Sequence, residues 1–305
     1  MELISCITPT FNRKGLLENA IRSCVEQTYK NWEMIIIDDG SEDGTDEMVR
    51  EVQKSETRIK YFRNPGKGAN AARNYGILKS TGEYLVFLDD DDEHLPHRFE
   101  SQLNAVKKSG SNFILSGFQV KDLATGRVIK EDFGHSKGMG AGHGVRWMIS
   151  RELVVKAGLF DEDMPAMQEV ELSYRIAEFE NYAFHNSVVM VGGVNHTSIT
   201  KSKEKMIRGR LRLMEKHADG MLPLEAAWWY YVIGMDYLST GDRAEAGKFF
   251  KLAADLDYRN IYRIANLYFS VMRSDKGVIG RINSKVLSLL CGFRYPELVN
   301  HKVVS

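Results

Sequence analysis

The fold is decided by one stretch, Tyr84-Leu85-Val86-Phe87-Leu88-Asp89-Asp90-Asp91-Asp92, in which five apolar or aromatic residues run directly into four carboxylates. The apolar part is short, rich in strand-forming residues and without polar alternation, which is typical of a strand buried on both faces of a parallel sheet. Adjacent carboxylates raise one another's pKa values, so a cation is expected beside them. The run therefore predicts a divalent-cation site with oxygen ligands where open α/β sheets bind ligands; a solvated acidic turn is the alternative.

Outward from this stretch, short apolar runs alternate with segments of helical periodicity. The predicted strands are 3–8, 34–37, 59–62 and 83–88, and the predicted helices are 14–27, 45–52 and 66–80. Pro9 is expected to end the first strand, because proline has no N–H to donate to a ladder. This order favours a doubly wound sheet with helices on both faces. Polar clusters follow three of the strands, and they should converge on one crevice.

The second half of the chain is less regular. A helix is predicted over 96–108 and a strand over 112–120, with 127–130 returning as the other arm of a hairpin. Residues 134–144 hold five glycines together with His135 and His143, which predicts an irregular loop that serves as a lid or as a plain linker.

Composition excludes several classes of protein. Lys and Arg balance Asp and Glu at 41 each, so no overall field favours nucleic acid. No apolar run approaches the roughly 18 residues that span a bilayer, and Met1-Glu2-Leu3 lacks a basic signal region, so a cytoplasmic protein is expected. Cys6, Cys24 and Cys291 show no zinc spacing and fit buried thiols in a reducing compartment.

An ordered series of motifs resembles the inverting glycosyltransferases of the GT-A fold, family 2 type. The series covers residues 3 to about 200 and consists of Thr8-Pro9-Thr10-Phe11-Asn12-Arg13, Ile37-Asp38-Asp39-Gly40-Ser41-Glu42-Asp43-Gly44-Thr45, Ala72-Arg73-Asn74, Phe87 to Asp92, Gly158-Leu159-Phe160-Asp161-Glu162 and Gln168-Glu169-Val170-Glu171-Leu172-Ser173-Tyr174-Arg175. The resemblance implies a GT-A (Rossmann-like) mixed sheet flanked by helices over residues 1–200. It also implies transfer of a sugar from a nucleotide-diphosphate sugar.

The resemblance implies a role for each matching position. The nucleotide-binding residues would be Pro9, Thr10, Phe11, Asn12, Asp39, Arg73 and Asp90. Phe11 would stack on the base, and Asp39 would accept a hydrogen bond from its N–H, which favours uracil or thymine. Asp91, with Asp89, would ligate Mn²⁺ or Mg²⁺ on the donor diphosphate, although four acids in a row leave the register ambiguous by one residue. His196 would be a further metal ligand or a structural residue, and His143 has weaker support.

The remaining role is that of the base that takes the acceptor proton. The family uses the Asp of a Glu-Asp pair at the start of a helix, whereas this chain has Gln168-Glu169. Glu169 is therefore the predicted base, with a carboxylate about one methylene further out. Glu171 is the competitor, but two residues along a helix it points about 200° away.

Beyond residue 200 the pattern is helical, and a small all-α region is predicted over 201–305. Residues 227–258 resemble one tetratricopeptide hairpin, with Tyr230, Ile233-Gly234, Tyr237, Gly241, Ala246, Phe250 and Ala253 in register and Tyr258 in place of the usual Pro. One repeat cannot bury its face alone, so it must lean on the catalytic domain, another chain or a membrane. Trp228 and Trp229 are predicted to be core residues or an interfacial anchor.

The charge is unevenly spread, with a net +5 over 201–216 and +4 over 273–305. These segments predict either peripheral contact with the inner membrane surface or ordinary solvated helices that pack or form a homodimer.

Taken together, the sequence predicts a metal-dependent inverting glycosyltransferase acting on a UDP-sugar and a saccharide or lipid-linked acceptor in cell-surface polysaccharide synthesis. The alternatives are a non-catalytic nucleotide-sugar-binding or scaffold protein and, third, a metal-dependent nucleotidyltransferase.

Overall fold

The structure is a computed structural model that describes residues 1–121, 127–132, 144–193, 202–256 and 303–304. Ten strands join in one mixed sheet: β1 (Ile4–Thr10), β2 (Trp32–Asp38), β3 (Ile59–Arg63), β4 (Tyr84–Phe87), β5 (Asp92–His94), β6 (Phe113–Lys121), β7 (Val128–Asp132), β8 (Trp147–Ser150), β9 (Ala183–Gly193) and β10 (Val303–Val304). The helices are α1 (Lys14–Val25), α2 (Thr45–Gln53), α3 (Ala69–Lys79), α4 (Arg98–Ser109), α5 (Arg151–Lys156), α6 (Gln168–Ala177), α7 (Lys203–His217), α8 (Pro223–Thr240) and α9 over 243–256.

The strand order is β10-β9-β6-β8-β4-β1-β2-β3, with β5 beside β9 and β7 beside β6. Strands β4, β1, β2 and β3 are parallel, and β8 is antiparallel to both of its neighbours, β4 and β6. The chain moves outward from β1 to β2 and β3, then returns to place β4 on the other side of β1. This reversal opens a crevice beyond the carboxyl ends of β1 and β4. The predicted mixed α/β sheet flanked by helices is confirmed.

Two apolar layers hold the sheet between helices. Alternate residues of β1 and β2 face opposite sides, so Cys6 and Ile36 pack with α1, α2 and α4, whereas Ile7 and Ile37 pack with α3, α5 and α6. Burying one such aliphatic side chain stabilises the fold by about 1.5–3 kcal/mol. The strand interiors are therefore mostly apolar on both faces, and two buried exceptions, Ser5 and Glu33, form a hydrogen bond with each other at 2.7 Å.

Helix α3 lies very close to the sheet because of one glycine. A Cβ added to Gly76 would lie 2.6 Å from Cγ2 of Ile7. Any larger residue would push α3 outward, and with it Arg73, which the same helix carries one turn earlier.

Strand β1 does not end at Pro9, as the sequence suggests; it continues to Thr10, and Pro9 pairs in register with Ile37 of β2. The expectation is wrong because the nitrogen of Pro9 faces the side of β1 on which no N–H donor is needed. Ile7 accepts from the N–H of Leu88 on the β4 side, and Thr10 accepts from Asp39 on the β2 side. Residues of a parallel strand alternate between neighbours, so Pro9 turns its nitrogen toward β4, whose last paired residue is Phe87. No ladder bond is lost there.

The C-terminal helices form a compact addition. Helices α8 and α9 are antiparallel, and a Cβ on Gly234 would lie 2.6 Å from Cε1 of Phe250, so the two helices approach closely. Trp229 is buried, and its Nε1 donates to the hydroxyl of Tyr174 at 2.9 Å, which makes it a core residue. The tetratricopeptide resemblance stays a prediction, as do the domain limits; residues 257–302 lie outside the described part.

None of the described helices is both long enough and apolar enough to cross a membrane.

Candidate active site

The ends of β1 and β4 meet through a hydrogen bond between residues 80 positions apart. Thr10 Oγ1 donates to Asp90 Oδ2 at 2.8 Å, and both residues are buried. Burial raises the pKa of Asp90, while the hydrogen bonds from Thr10 and Arg13 oppose that rise. The predicted convergence of polar strand ends therefore occurs at the crevice.

Two arginines pair with the acid run. Arg73 Nη2 donates to Asp89 at 2.8 Å, and Arg13 Nη1 donates to Asp90 at 2.9 Å and to Asp91 at 3.2 Å. Four carboxylates thus face two guanidinium groups. Two negative charges of the run are left without a partner of opposite sign among these contacts.

Arg13 has no role among the sequence predictions. It follows Asn12 in the first quoted motif, but its partners lie 77 and 78 residues further along the chain. The sequence signal that could have identified Arg13 is its position just after β1, because loops at that edge of the sheet line the crevice.

Three carboxylates are placed to share a cation. Asp89, Asp91 and Asp92 each offer an oxygen atom, and these atoms all lie within 4.8 Å of one another. Burial, together with the neighbouring charges of Asp89 and Asp91, raises the pKa of Asp92 well above its usual range. Crowded carboxylate oxygens with surplus negative charge suit a hard divalent cation such as Mg²⁺ or Mn²⁺. Asp92 is an addition to the predicted pair Asp91 and Asp89.

Phe11 and Asn12 follow β1 at the mouth of the crevice. The ring of Phe11 is 53% exposed, so it is not a core aromatic and has a free face. Asn12 adopts φ 52°, which Asn tolerates better than most residues. Its N–H donates to Ser41 Oγ at 2.8 Å, and its Oδ1 accepts from the N–H of Glu42 at 2.8 Å. Asn12 therefore joins the loops that follow β1 and β2.

Asp39 is engaged within the protein. Its carboxylate accepts from Asn64 Nδ2 at 2.7 Å and from the N–H of Gly68 at 2.9 Å, just before α3 begins. This links the loop after β2 to the start of α3. Oδ1 also accepts from the Gly68 N–H at 3.1 Å, so Oδ2 is the oxygen that keeps a lone pair for a ligand.

Arg73 is 5% exposed and lies on the crevice side of α3. Its Nη1 has no hydrogen-bond partner within the described residues. Asn74, the next residue, exchanges hydrogen bonds with the backbone of Phe160, Nδ2 to O and N to Oδ1, both at 2.9 Å. The Ala72-Arg73-Asn74 motif therefore holds the loop before α6 on α3 and places a buried guanidinium group beside Asp89.

Glu169 lies in the first turn of α6 and is half-buried. Its carboxyl group interacts electrostatically with Arg73 and Asp89. Burial raises the pKa of its carboxyl group, Arg73 opposes the rise and Asp89 adds to it. Gln168 Nε2 donates to its Oε1 at 3.3 Å. Gly144 packs against its stem, since a Cβ there would lie 2.7 Å from Glu169 Cγ. A carboxyl group with a raised pKa beside an acid cluster is suited to exchange a proton.

Glu171 points elsewhere. Its side chain is 0% exposed and is bound by Arg175 at 2.7 Å, by Lys216 at 2.5 Å and by His217 at 3.2 Å. Burial alone would raise the pKa of Glu171, but the hydrogen bonds from His217, Arg175 and Lys216 hold it far below the usual range. A carboxylate held in this way is a weak base, and its cluster lies on another side of α6 from Glu169.

Two predicted positions lie outside the described residues. His196 follows β9 by three residues, and His143 stands directly before Gly144. Pro9, by contrast, is part of β1 and precedes Thr10 at the crevice edge.

Comparison with known proteins identifies the family. Residues 5–151 match the family described as glycosyl transferase family 2. Just under half of the chain thus resembles a family 2 glycosyltransferase domain. The predicted enzyme class, glycosyltransferase, is confirmed at this level.

Two curated relatives and two solved structures illustrate the likeness. An uncharacterized glycosyltransferase of Rickettsia typhi is 28% identical over 214 residues, 66% of each chain. The GalNAc(5)-diNAcBac-PP-undecaprenol beta-1,3-glucosyltransferase of Campylobacter jejuni is 47% identical over 97 residues, 31% of each chain. The matches thus cover less than two thirds of either relative.

Among solved structures, the mannosyltransferase of Pyrobaculum calidifontis in complex with GDP-Man and Mn²⁺ gives a TM-score of 0.60 at 17% identity, covering 95% of this chain and 85% of the other. S. aureus TarS in complex with UDP-GlcNAc gives 0.54 at 15% identity, covering 84% and 71%. Both confirm the predicted GT-A fold class.

Proposed function

We propose that this family 2 protein is an inverting, divalent-metal-dependent glycosyltransferase that uses a nucleotide-diphosphate sugar with a uridine base. The observation that carries the proposal is the convergence of Thr10, Asp89 to Asp92, Arg73 and Glu169 at one edge of the sheet. A nucleotide pocket, an acid cluster and a base are the three parts that such a transfer needs.

The donor nucleotide binds beside β1. Phe11 stacks its exposed ring on the base, and Asp39 accepts from the base N–H with the lone pair of Oδ2 that Gly68 leaves free. Asp90, fixed by Thr10 and buried, accepts from the ribose hydroxyls. Arg73, which pairs with Asp89, contributes positive charge beside the donor phosphates.

The residues present fit a divalent cation. Asp91, Asp89 and Asp92 would hold it, and His196 is a further candidate ligand. When bound, such a cation neutralises the charge of the leaving nucleoside diphosphate. Arg13 and Arg73 are fewer than the four carboxyl groups of the acid run, and a bound cation would offset negative charge that the two arginines leave unpaired.

Glu169 acts as the base. Inversion requires a single displacement at the anomeric carbon, in which the acceptor oxygen forms the new bond as its proton passes to the base. Burial makes the Glu169 carboxylate more basic than an exposed Glu, while Arg73 keeps it from being protonated too readily. The carboxylate is thereby suited to take a proton from the acceptor hydroxyl.

The acceptor is a hydroxyl of a saccharide or of a lipid-linked saccharide. The relative from Campylobacter jejuni acts, by its name, on an undecaprenol-linked saccharide, and a Bacillus subtilis relative, 34% identical over 119 residues, is described as a putative teichuronic acid biosynthesis glycosyltransferase. Both descriptions favour a role in cell-surface polysaccharide synthesis.

A panel of nucleotide-sugars, scanned for thermal stabilisation with and without Mn²⁺, tests the donor assignment. A donor at 100 times its dissociation constant should stabilise the fold by about 2.7 kcal/mol. UDP-sugars should stabilise more than GDP-sugars, and EDTA should reverse most of the effect. Equal stabilisation by both bases would overturn the uridine assignment.

Turnover separates this proposal from a binding or scaffold protein. The stabilising donor is incubated with saccharide and lipid-linked acceptors, and release of UDP is compared with and without acceptor. A protein that binds the donor tightly, yet transfers to no acceptor of either class, would be a nucleotide-sugar-binding module instead.

A further inference from the structure

Helix α6, which carries Glu169, is held from outside the sheet domain. Met167, Val170, Glu171 and Tyr174 recur at helical spacing and so share one stripe of the helix. The apolar members of this stripe pack with buried residues of α7 and α8, namely Leu213, Met214, Ala226, Trp229 and Ile233. The opposite side of α6 contributes Leu172 and Ile176 to the sheet core. The helix is therefore clamped between the sheet and the C-terminal helices.

An ion cluster reinforces the clamp at the end of α7. Lys216 Nζ contacts Asp161 Oδ2 at 2.9 Å and Glu171 Oε1 at 2.5 Å. Asp161 belongs to the loop before α6, and Arg212 donates to it with Nε at 3.0 Å and Nη2 at 3.1 Å. Burial pushes the pKa of Asp161 up, but its hydrogen bonds from Lys216, Asp163 and Arg212 lower it. One ammonium thus joins the segment that leads into α6 to the helix itself.

The backbone before Glu169 gives an independent reason for such a clamp. Met167 adopts φ 65° in the left-handed region, directly before Gln168 begins the helix. A non-glycine residue held in this way is strained and persists only where the surroundings fix it. Met167 packs against the cluster formed by α7 and α8. Gly209 of α7 lies so close to Ala166 that a Cβ would be 2.6 Å from the Ala166 carbonyl oxygen.

We propose that helices α7 and α8 position the base-bearing helix α6 for catalysis, with Lys216 as the positioning residue that ties Asp161 to Glu171. The inference rests on the proposed function in assigning Glu169 as the base. The C-terminal helices are on this view part of the catalytic unit. Lys216 touches neither the acid run nor Glu169, so its effect on turnover passes through α6.

The test compares three full-length variants. Lys216→Met removes the ammonium and keeps the stem, Lys216→Arg keeps the charge, and Lys205→Met is the matched control on an exposed position of α7. Hydrogen exchange of the α6 amides is measured first, because it needs no activity. Lys216→Met should speed exchange in 168–177 and leave β1 and β2 unchanged, whereas Lys216→Arg and Lys205→Met should match the wild type.

Turnover is the second measurement. A displaced base should lower kcat about tenfold or more in Lys216→Met. The dissociation constant for UDP should stay within about twofold, since the nucleotide residues lie on other elements. Lys216→Arg should recover most of the lost kcat.

The proposal is overturned if α6 exchange and kcat of Lys216→Met equal those of Lys205→Met, or if UDP affinity falls in parallel with kcat. If the wild type transfers no sugar from any donor, the proposed function fails instead, and the exchange of α6 still decides whether the clamp exists.

Discussion

At the residue scale, the ion pairs and pKa values of the acid run Asp89 to Asp92 depend on the charged groups around it. Arg73 and Arg13 occupy Asp89, Asp90 and one side of Asp91, and burial with crowding raises the pKa values of Asp90 and Asp92. Removing one ligand oxygen from such a cluster weakens cation binding more than it weakens the fold, because the crowded carboxylates repel one another.

We expect Asp91→Asn to abolish the part of UDP affinity that depends on Mn²⁺ and to leave the melting temperature nearly unchanged. Titration calorimetry with UDP, in Mn²⁺ and in EDTA, measures it. Glu93→Gln is the matched control, since Glu93 is the exposed acid next to the run. A wild type with equal UDP affinity in Mn²⁺ and EDTA would remove the metal assignment.

Glu169→Gln is nearly isosteric and cannot accept a proton. Turnover should fall by about 10²–10⁴, with UDP affinity retained. In the wild type, the raised pKa of Glu169 should place the acid limb of the kcat/KM profile above the range of an ordinary Glu, because the active form is deprotonated. Activity should therefore be lost as pH falls through that value.

Glu171→Gln should behave differently, because it breaks the cluster with Arg175, Lys216 and His217 and lowers stability first. If Glu171→Gln abolished turnover in a folded protein while Glu169→Gln did not, the assignment of the base would be wrong.

Some residue roles were beyond reach of the sequence. The resemblance favours Glu169 over Glu171 as the base, but the ion pairs of Glu171 with Lys216 and His217 have no signal in the sequence. Cys6 and Cys24 show no metal spacing, yet their sulfurs lie 3.5 Å apart in the core with His94 nearby. Contacts across such separations depend on packing that no local pattern records.

At the element scale, β1 to β4 and α1 to α4 were predictable because each has a local pattern, an apolar run for a strand or helical periodicity for a helix, whereas β5 was not predicted. The predicted strand 83–88 is β4, Tyr84–Phe87, and the predicted helix 45–52 is α2, Thr45–Gln53. The insertion of antiparallel β8 between β4 and β6, and the pairing of β5 with β9, have no such local signal. Which strands pair with one another depends on the packing of the whole sheet.

The short segment before β8 gives an element-scale prediction. Gly144 starts a single 3₁₀ turn, and Gly144→Ala would bring a Cβ to 2.7 Å from Glu169 Cγ. We expect the added methyl group to displace the Glu169 carboxylate and lower kcat, while UDP affinity stays the same. Steady-state kinetics with UDP titration measure both.

Gly247→Ala is the control for Gly144→Ala, because no atom lies within 4 Å of a Cβ there. Its position within α9 should even gain roughly 0.5–1 kcal/mol of stability. Unchanged kcat in Gly144→Ala would mean that Glu169 adjusts freely or is not the base.

At the scale of the whole molecule, ion pairs within the protein neutralise part of the positive charge of the 201–216 segment. Three cations of the 201–216 segment are paired inside the protein: Arg210 with Asp236, Arg212 with Asp161, and Lys216 with Asp161 and Glu171. Helix α7 therefore offers less charge to a membrane surface than its composition suggests. Any electrostatic attraction must come chiefly from the 273–305 segment, nearly all of which lies outside the described residues.

This argument sharpens the membrane prediction. The 273–305 segment carries six Lys or Arg against two acids, and each cation near an anionic surface contributes about 1 kcal/mol. We expect the protein to co-sediment with anionic vesicles at low salt, to release at high salt as the Debye length shrinks, and to ignore neutral vesicles. Replacing Arg281 and Lys285 by Gln should weaken this binding. Replacing Arg212 and Lys216 by Gln should change vesicle binding little, because their charges are already paired within the protein. If the protein does not co-sediment with anionic vesicles at low salt, the 273–305 segment is a packing or dimerisation element. A lipid-linked acceptor would then have to reach the crevice without membrane binding by this segment.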